Sequence, residues 1–350
     1  MEKPDRSITI VEVARMAGVS VSTVSRVIND KSPVHADTRE RIREIIRRTN
    51  YMPNKLAKGL VSQHSKTIAL IIPDIANPFF ADIIHGVENT VMPQGYSIYL
   101  CNSNFNHDRE RRFLEEMAER RAEGAVLVSA FLQNETLIHR LDQNAMRIVC
   151  IQTQIEGLDS INTNDYESMC VSVQHLVDQG HKRVAFICID HRGCRMRYSA
   201  YKNVLSRNGL PIVPEYVKES VKSGFTDNPG YHLTQELLAL PEPPTAIQAL
   251  NDYMAYGAYQ AAQEKGINIP QDLSVAGFDD LPLSKLLMPP LTTTRQPAYE
   301  MGQAGSDILL KRIIKGPRQL DQPCEERLFD TAFVHRASVA APPCRAVLTA

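Results

Sequence analysis

From Lys66 onward the chain alternates between short apolar runs and longer amphipathic segments, and few folds accept that pattern. The apolar runs are Thr67–Ile72, Tyr96–Leu100, Ala125–Val128, Ile148–Ile151, Val184–Ile189, Ala246–Leu250 and Ser274–Gly277. Between them lie segments with apolar residues at helical spacing: Phe79–Val91, Asp108–Arg121, Tyr166–Gln179, Tyr198–Asn208, Tyr231–Leu238, Tyr253–Lys265 and Met301–Ile314. A strand that is apolar on both faces must be covered on both, so the alternation predicts parallel sheets flanked by helices. About 270 residues of it predict two doubly wound lobes. Such lobes bind ligands at the carboxyl ends of their strands, which here means the cleft between them.

The first 65 residues read differently. Residues 9 to 29, TIVEVARMAGVSVSTVSRVIN, encode two short helices joined at Gly18. Thr9 caps the first, with Glu12 placed to complete a capping box. Ile10, Val13, Ala14 and Ala17 form its apolar side. The second runs from about Val21 to Asn29 with Ser20 as N-cap. Val24, Val27 and Ile28 turn inward, leaving Ser22, Thr23, Ser25, Arg26 and Asn29 outside. Small hydroxyls plus one Arg suit a DNA groove, where base edges and phosphates need donors at close range. A third helix is expected from Thr38 to Thr49, capped by Asp37, with Ile42, Ile45 and Ile46 inward. Its arginines, Arg39, Arg41, Arg43, Arg47 and Arg48, read mostly as a solvated face. Asn54 then caps a short segment to Val61 that needs a partner to become ordered.

Charge separates the two parts. Residues 1 to 66 hold 13 Lys+Arg against 7 Asp+Glu; the whole chain holds 39 against 40, which leaves 26 against 33 for the remainder. A basic head on an acidic body is the footprint of one small domain that meets phosphates. No run of about 18 apolar residues occurs, and the charged N-terminal segment is no secretory signal. The chain is therefore expected in the cytoplasm. Its seven cysteines are scattered without CxxC, as small core residues of a reducing compartment would be. No GxSxG, HExxH or P-loop is present, so neither an enzyme nor a cofactor is expected. Residues 190 to 194 (DHRGC) are expected to form a loop at the cleft mouth.

Taken in order, VARMAGVSVSTVSRVIN, TRERI, NYMPNKLAKGL, IIPDIANPFFADIIHGVE, LVDQGHKRVAFI, PTAIQALNDYMAYGAYQAA, IPQDLSVAGFDD and PPLTTTRQP resemble the LacI/GalR family of bacterial transcription regulators. The resemblance covers about residues 8 to 336. It implies that Val21 and Ser22 begin a recognition helix facing base edges, with Arg26 as the strongest reader. Ser20, Thr23, Ser25 and Asn29 would hold the helix to phosphates. Residues 54 to 61, with Asn54, Lys58 and Leu60, match the family's hinge helix. There, two Leu60 side chains of a dimer would wedge the minor groove. Lys58 stands where the family often has Arg. In the body, the resemblance implies an effector contacted by Phe79, Phe80, Asp165, Arg197, Phe225, Asn251, Asp279 and Gln296. Residues 164 and 165 read AsnAsp where the family commonly has AspAsn, which leaves open which of the two faces the ligand. Arg197 points to an anionic or polyhydroxylated ligand, and Asp279 is expected to accept from ligand hydroxyls.

The expected fold is a small all-α helix-turn-helix headpiece (8–53), a hinge and linker (54–65) and an α/β periplasmic-binding-protein-like body (66–340). The body has two doubly wound parallel-sheet lobes, an N-lobe of about 66–179 and 296–325 and a C-lobe of about 180–295 and 326–340. Residues 341–350 form a tail. The expected function is sequence-specific DNA binding, as a repressor controlled by a small molecule such as a sugar or sugar acid. Its partners would be a near-palindromic operator, the effector and a second copy of the chain, and no membrane. Residues 337 to 350 hold two prolines and one Leu, without the heptads of a tetramerising helix, so a homodimer is expected. The alternative reading is a solute-binding protein without DNA function, which the basic head opposes.

Overall fold

The computed structural model describes residues 8–30, 33–51, 65–189, 192–220, 227–316 and 323–343, with side chains omitted at 192–194. It divides into two compact units, residues 1–65 and 66–350. The first holds α1 (Ile10–Ala17), α2 (Val21–Ile28) and α3 (Ala36–Thr49). The expected capping box is present: Glu12 N donates to Thr9 Oγ1 at 3.4 Å and Thr9 N to Glu12 Oε2 at 2.7 Å. Gly18 ends α1 at φ 63, a left-handed turn that glycine enters without steric penalty. Ser20 Oγ caps α2 by accepting from Thr23 N at 3.2 Å. Val13, Val24 and Ile42 are fully buried where the three helices meet, while Ile28, Ile45 and Ile46 pack around them half-buried. One expectation fails: α3 begins at Ala36, not Thr38. Its N-cap is His35, whose side chain makes no capping bond, so Asp37 sits inside the first turn, where its charge favours the helix dipole.

The second unit follows the predicted alternation. In chain order it holds β1 (Thr67–Ile72), α4 (Pro78–Val91), β2 (Ser97–Asn102), α5 (His107–Glu119), β3 (Gly124–Val128), α6 (Glu135–Asn144), β4 (Arg147–Ile151) and β5 (Asp159–Thr163). Then come α7 (Asp165–Asp178), β6 (Val184–Ile189), α8 (Arg192–Arg207), β7 (Val217–Ser220), α9 (Pro229–Leu238), β8 (Ala246–Ala249), α10 (Asp252–Glu264) and β9 (Ser274–Ala276). It closes with β10 (Thr293–Arg295), α11 (Ala298–Lys315), β11 (Glu326–Phe329) and β12 (Ala332–Val334). The first sheet is ordered β11-β5-β4-β3-β1-β2 and the second β7-β6-β8-β9, all parallel. β10 and β12 form an antiparallel pair.

Alternation along β1 shows why both faces are apolar. Ile68, Leu70 and Ile72 pack with Ile83 and Val87 of α4 and Ile308 of α11. Ala69 and Ile71 pack on the other face with Leu114 of α5 and Ile138 of α6. Helices α4 and α11 touch through glycines. A Cβ on Gly86 would lie 2.1 Å from the Tyr299 carbonyl oxygen, and one on Gly302 would lie 2.3 Å from that of Ile83.

The lobe borders differ from the expectation. Met169, Val173 and Leu176 of α7 belong to the second lobe's core, which moves the crossing from residue 179 to the turn after β5. β11 pairs with β5 in the first sheet instead of joining the second lobe. Both assignments depend on pairing partners far away in sequence, which local periodicity does not encode. Residues 192–194 open α8 rather than extending a loop. The cysteines at 101, 150 and 170 are free thiols. Among the described residues, no helix is long and apolar enough to cross a membrane.

Candidate nucleic-acid interface and ligand cleft

The outward face of α2 is built by residue spacing. At about 100° per residue, Val21, Ser22, Ser25, Arg26 and Asn29 fall on one side, opposite the buried Val24 and Val27. Val21, Ser22 and Arg26 are exposed. Ser20, Ser22 and Thr23 share hydroxyl bonds of 2.7 and 2.8 Å, which fix the first turn, and Asn29 Nδ2 donates to Ser25 O at 2.7 Å. On α3, Arg39 and Arg43 are held by Asp30 at 3.1 and 2.9 Å, and Arg47 by Glu40 and Glu44. Arg26 forms no ion pair among the described residues, so its guanidinium is available to an external acceptor. Asn54, Lys58 and Leu60 lie outside the described residues, as does Phe225.

In the body, loops after the strands' carboxyl ends converge on one cleft. Asn77, Phe79 and Phe80 follow β1, Phe105 follows β2, Ser129, Ala130 and Phe131 follow β3, Gln152 and Thr153 follow β4, and Asp165 follows β5. The second lobe contributes Arg197 from α8, Leu250 and Asn251 after β8, Asp279 after β9 and Gln296 after β10. The expected residues Phe79, Phe80, Asp165, Arg197, Asn251, Asp279 and Gln296 all line this cleft. Of residues 164 and 165, it is Asp165 that does so. Phe105, Ser129, Phe131, Gln152 and Thr153 were missed. Ser129 and Gln152 carried a legible signal, as the first polar residue after a buried parallel strand.

The polar groups are already partnered. Asp165 Oδ2 accepts from Arg197 Nε at 2.9 Å and lies 2.9 Å from its Nη2; Asp165 Oδ1 accepts from Thr163 at 2.7 Å. Arg197 Nη1 donates to the Leu250 carbonyl at 2.8 Å, and its guanidinium carbon sits 3.8 Å from the centre of the Phe278 ring. Gln296 joins the lobes: its Nε2 donates to Asp279 Oδ1 at 2.6 Å, and its Oε1 accepts from Gln152 Nε2 at 3.0 Å and lies 3.0 Å from Thr163 Oγ1. Asn251 Oδ1 caps α10 through Met254 N at 3.0 Å, as Asn77 Oδ1 caps α4 through Phe79 N at 3.0 Å. Phe79 and Phe80 meet edge to face, with centroids 5.4 Å apart.

Asp279 is buried among these groups. Burial pushes its carboxyl well above the usual range, against the pull of Arg197 and of the Gln296 bond. Asp252 and Asp165 push it in the same direction as burial. Burial thus disfavours its charged form. Its backbone sits at φ 120 and that of Asp280 at φ 56, conformations an L-residue rarely adopts unless its surroundings enforce them. Arg197 is paired with Asp165, and burial disfavours the charged form of Asp279.

Comparisons with known proteins agree with this geometry. Residues 9–54 match the model for bacterial regulatory proteins of the lacI family, and residues 173–339 match that for a periplasmic binding protein-like domain. Catabolite control protein A of Priestia megaterium is 36% identical over 318 residues, covering 88% of this chain and 93% of that protein. A crystal structure of the lac repressor dimer, bound to operator and the anti-inducer ONPF, superposes with a TM-score of 0.81 at 26% identity. That match covers 96% of this chain and 100% of the repressor chain. A LacI-family regulator from Enterococcus faecium with bound ribose superposes at a TM-score of 0.69 and 28% identity, covering 79% of this chain and 99% of that one. A headpiece with an exposed hydroxyl-and-arginine helix, a two-lobed cleft and these likenesses lead to one assignment: the chain belongs to the lacI family of bacterial regulatory proteins and is a DNA-binding transcriptional regulator under small-molecule control.

Proposed function

We propose that the protein is a cytoplasmic, non-enzymatic repressor that binds a near-palindromic operator as a homodimer and takes an uncharged, polyhydroxylated effector between its lobes. The observation that carries the effector class is the Arg197–Asp165 pair. A guanidinium already neutralised by a carboxylate has little charge left for an anion, but its remaining N–H groups can donate to hydroxyls. The buried carboxyl of Asp279, the amides of Asn251 and Gln296 and the rings of Phe79 and Phe80 suit a ligand with hydroxyls on its rim and C–H faces above and below. The ribose held by the Enterococcus faecium protein is of that class.

On the DNA side, Val21, Ser22 and Arg26 are proposed to face base edges, and Ser20, Thr23, Ser25 and Asn29 to face phosphates. By its resemblance, the segment 54–61 with Asn54, Lys58 and Leu60 serves as the hinge, and Phe225 joins the effector contacts. The functional borders follow the two units, with headpiece and hinge within 8–65 and the body from 66. Two headpieces would read two half-sites related by the dimer axis. The operator bound by the lac repressor dimer supports this reading.

A thermal-shift screen tests the effector class. A compound present at about 100 times its dissociation constant adds roughly 2.7 kcal/mol of stability. Neutral sugars are expected to raise Tm more than sugar acids or phosphosugars of the same size. Stabilisation by the anionic compounds alone would overturn the proposed class.

A further inference from the structure

Asp252 is fully buried and is not among the described residues that line the cleft, yet it grips the segment carrying Asp279 from both ends. Its backbone N–H donates to the Phe278 carbonyl at 2.7 Å, and its carboxylate accepts from Leu281 N at 2.8 Å. The two residues thus bracketed are Asp279 and Asp280, at φ 120 and φ 56. Oδ2 also accepts from Ser284 Oγ at 2.5 Å, and Oδ1 from Thr293 Oγ1 at 2.5 Å. Thr293 starts the strand that leads to Gln296, and Ser284 is tied in turn to Tyr256 at 2.8 Å. Gly277 leaves room for the carboxylate: a Cβ there would lie 2.2 Å from Asp252 Oδ1.

We propose that Asp252 is a positioning residue for effector recognition: one buried carboxylate holds the strained Asp279 and the approach to Gln296 in the geometry a ligand meets. The inference rests on reading the cleft as the effector site. Strained φ values persist only where the surroundings over-determine them, and a carboxylate with three donors on it does that here. The titratable and charged groups around it are Asp279 and Asp280 on the bracketed segment and Tyr256 and Tyr259 on α10. Asp280 is itself held by Arg295 at 2.7 Å and Arg336 at 2.5 Å. Burial pushes Asp252 up to about 7, against the three hydrogen bonds that pull it down. The ionised form accepts all three donors, whereas the protonated form must turn one away.

The test uses the full chain, with ribose and cellobiose as probes. In Asp252→Asn, amide hydrogen exchange across residues 277–296 is expected to rise about tenfold or more while β1 to β4 stay protected. Ribose affinity should fall about tenfold, as loss of a buried charge-assisted bond predicts. The wild-type gain in ribose affinity as pH rises through about 7 should vanish in the variant. Ser284→Ala and Thr293→Val remove one donor each and should give smaller shifts in the same direction, which keeps the test open if Asp252→Asn folds poorly. Exchange and affinity equal to wild type in all three variants would overturn the proposal. If the wild type binds neither sugar, ribose and cellobiose are not its effectors, and the screen of neutral against anionic compounds decides the effector class. The exchange arm then decides the positioning claim alone: raised exchange across 277–296 supports it and unchanged exchange overturns it.

Discussion

Arg197 and Asp165 show how one pairing redirects a functional reading. Alone in the sequence, Arg197 suggested an anchor for an anionic or polyhydroxylated ligand; with Asp165 at 2.9 Å it becomes half of a largely buried ion pair, which favours the second. Removing one partner of such a pair strands a buried charge, which costs about 3 kcal/mol or more. Asp165→Ala should therefore lower urea stability by about that amount, and Asp165→Ala with Arg197→Met should lose less than Asp165→Ala alone. Asp252 makes a pH-dependent contribution of its own. Its carboxyl ionises near 3.8 when unfolded and at about 7 when folded. The native state thus keeps a proton the unfolded chain has released, so this stabilisation is complete below pH about 4 and is lost as pH rises through about 7. Asp252→Asn should flatten the Tm–pH curve across that window, and an unchanged slope would contradict the assignment. The upward shift of the Asp279 and Asp252 carboxyls was illegible in the sequence because it arises from burial, which needs the fold.

Local signals wrote some elements clearly and others hardly at all. Thr9 and Glu12 announced the start of α1, and the capping box is there. Thr9→Ala should cost about 1 kcal/mol, read as faster amide exchange in α1 of the full chain. The continuous apolar runs of β1, β3, β4, β6 and β8 were legible because both faces are buried. β5, with the sequence DSINT, and β7, with VKES, were missed because their polar side chains mask strand character that comes from pairing. The contact of α4 with α11 was equally hidden, since a glycine shows no preference for a partner helix. There, Gly302→Ala would drive a methyl into the Ile83 carbonyl. Overpacking of this kind costs about 1–3 kcal/mol, so a drop in urea midpoint of that size is expected and none would refute the close contact.

For the whole chain, the two-unit division, the basic head and the interlobe cleft were all legible, because each is a property of long stretches and survives local errors. The lobe borders were not, since β11 returns to the first sheet across more than one intervening element. A ligand in the cleft and DNA on the headpiece must be coupled reciprocally if one regulates the other: whatever factor the effector applies to operator affinity, the operator applies to effector affinity. The central claim, that α2 reads DNA sequence through Arg26, is tested most directly by footprinting genomic fragments with purified wild-type protein and with Arg26→Ala. The account predicts protection at discrete near-palindromic sites that weakens as salt rises. The variant should lose it by about 1–3 kcal/mol, the worth of one base-reading contact. Equal protection by both proteins, or none by the wild type at any salt, would contradict it.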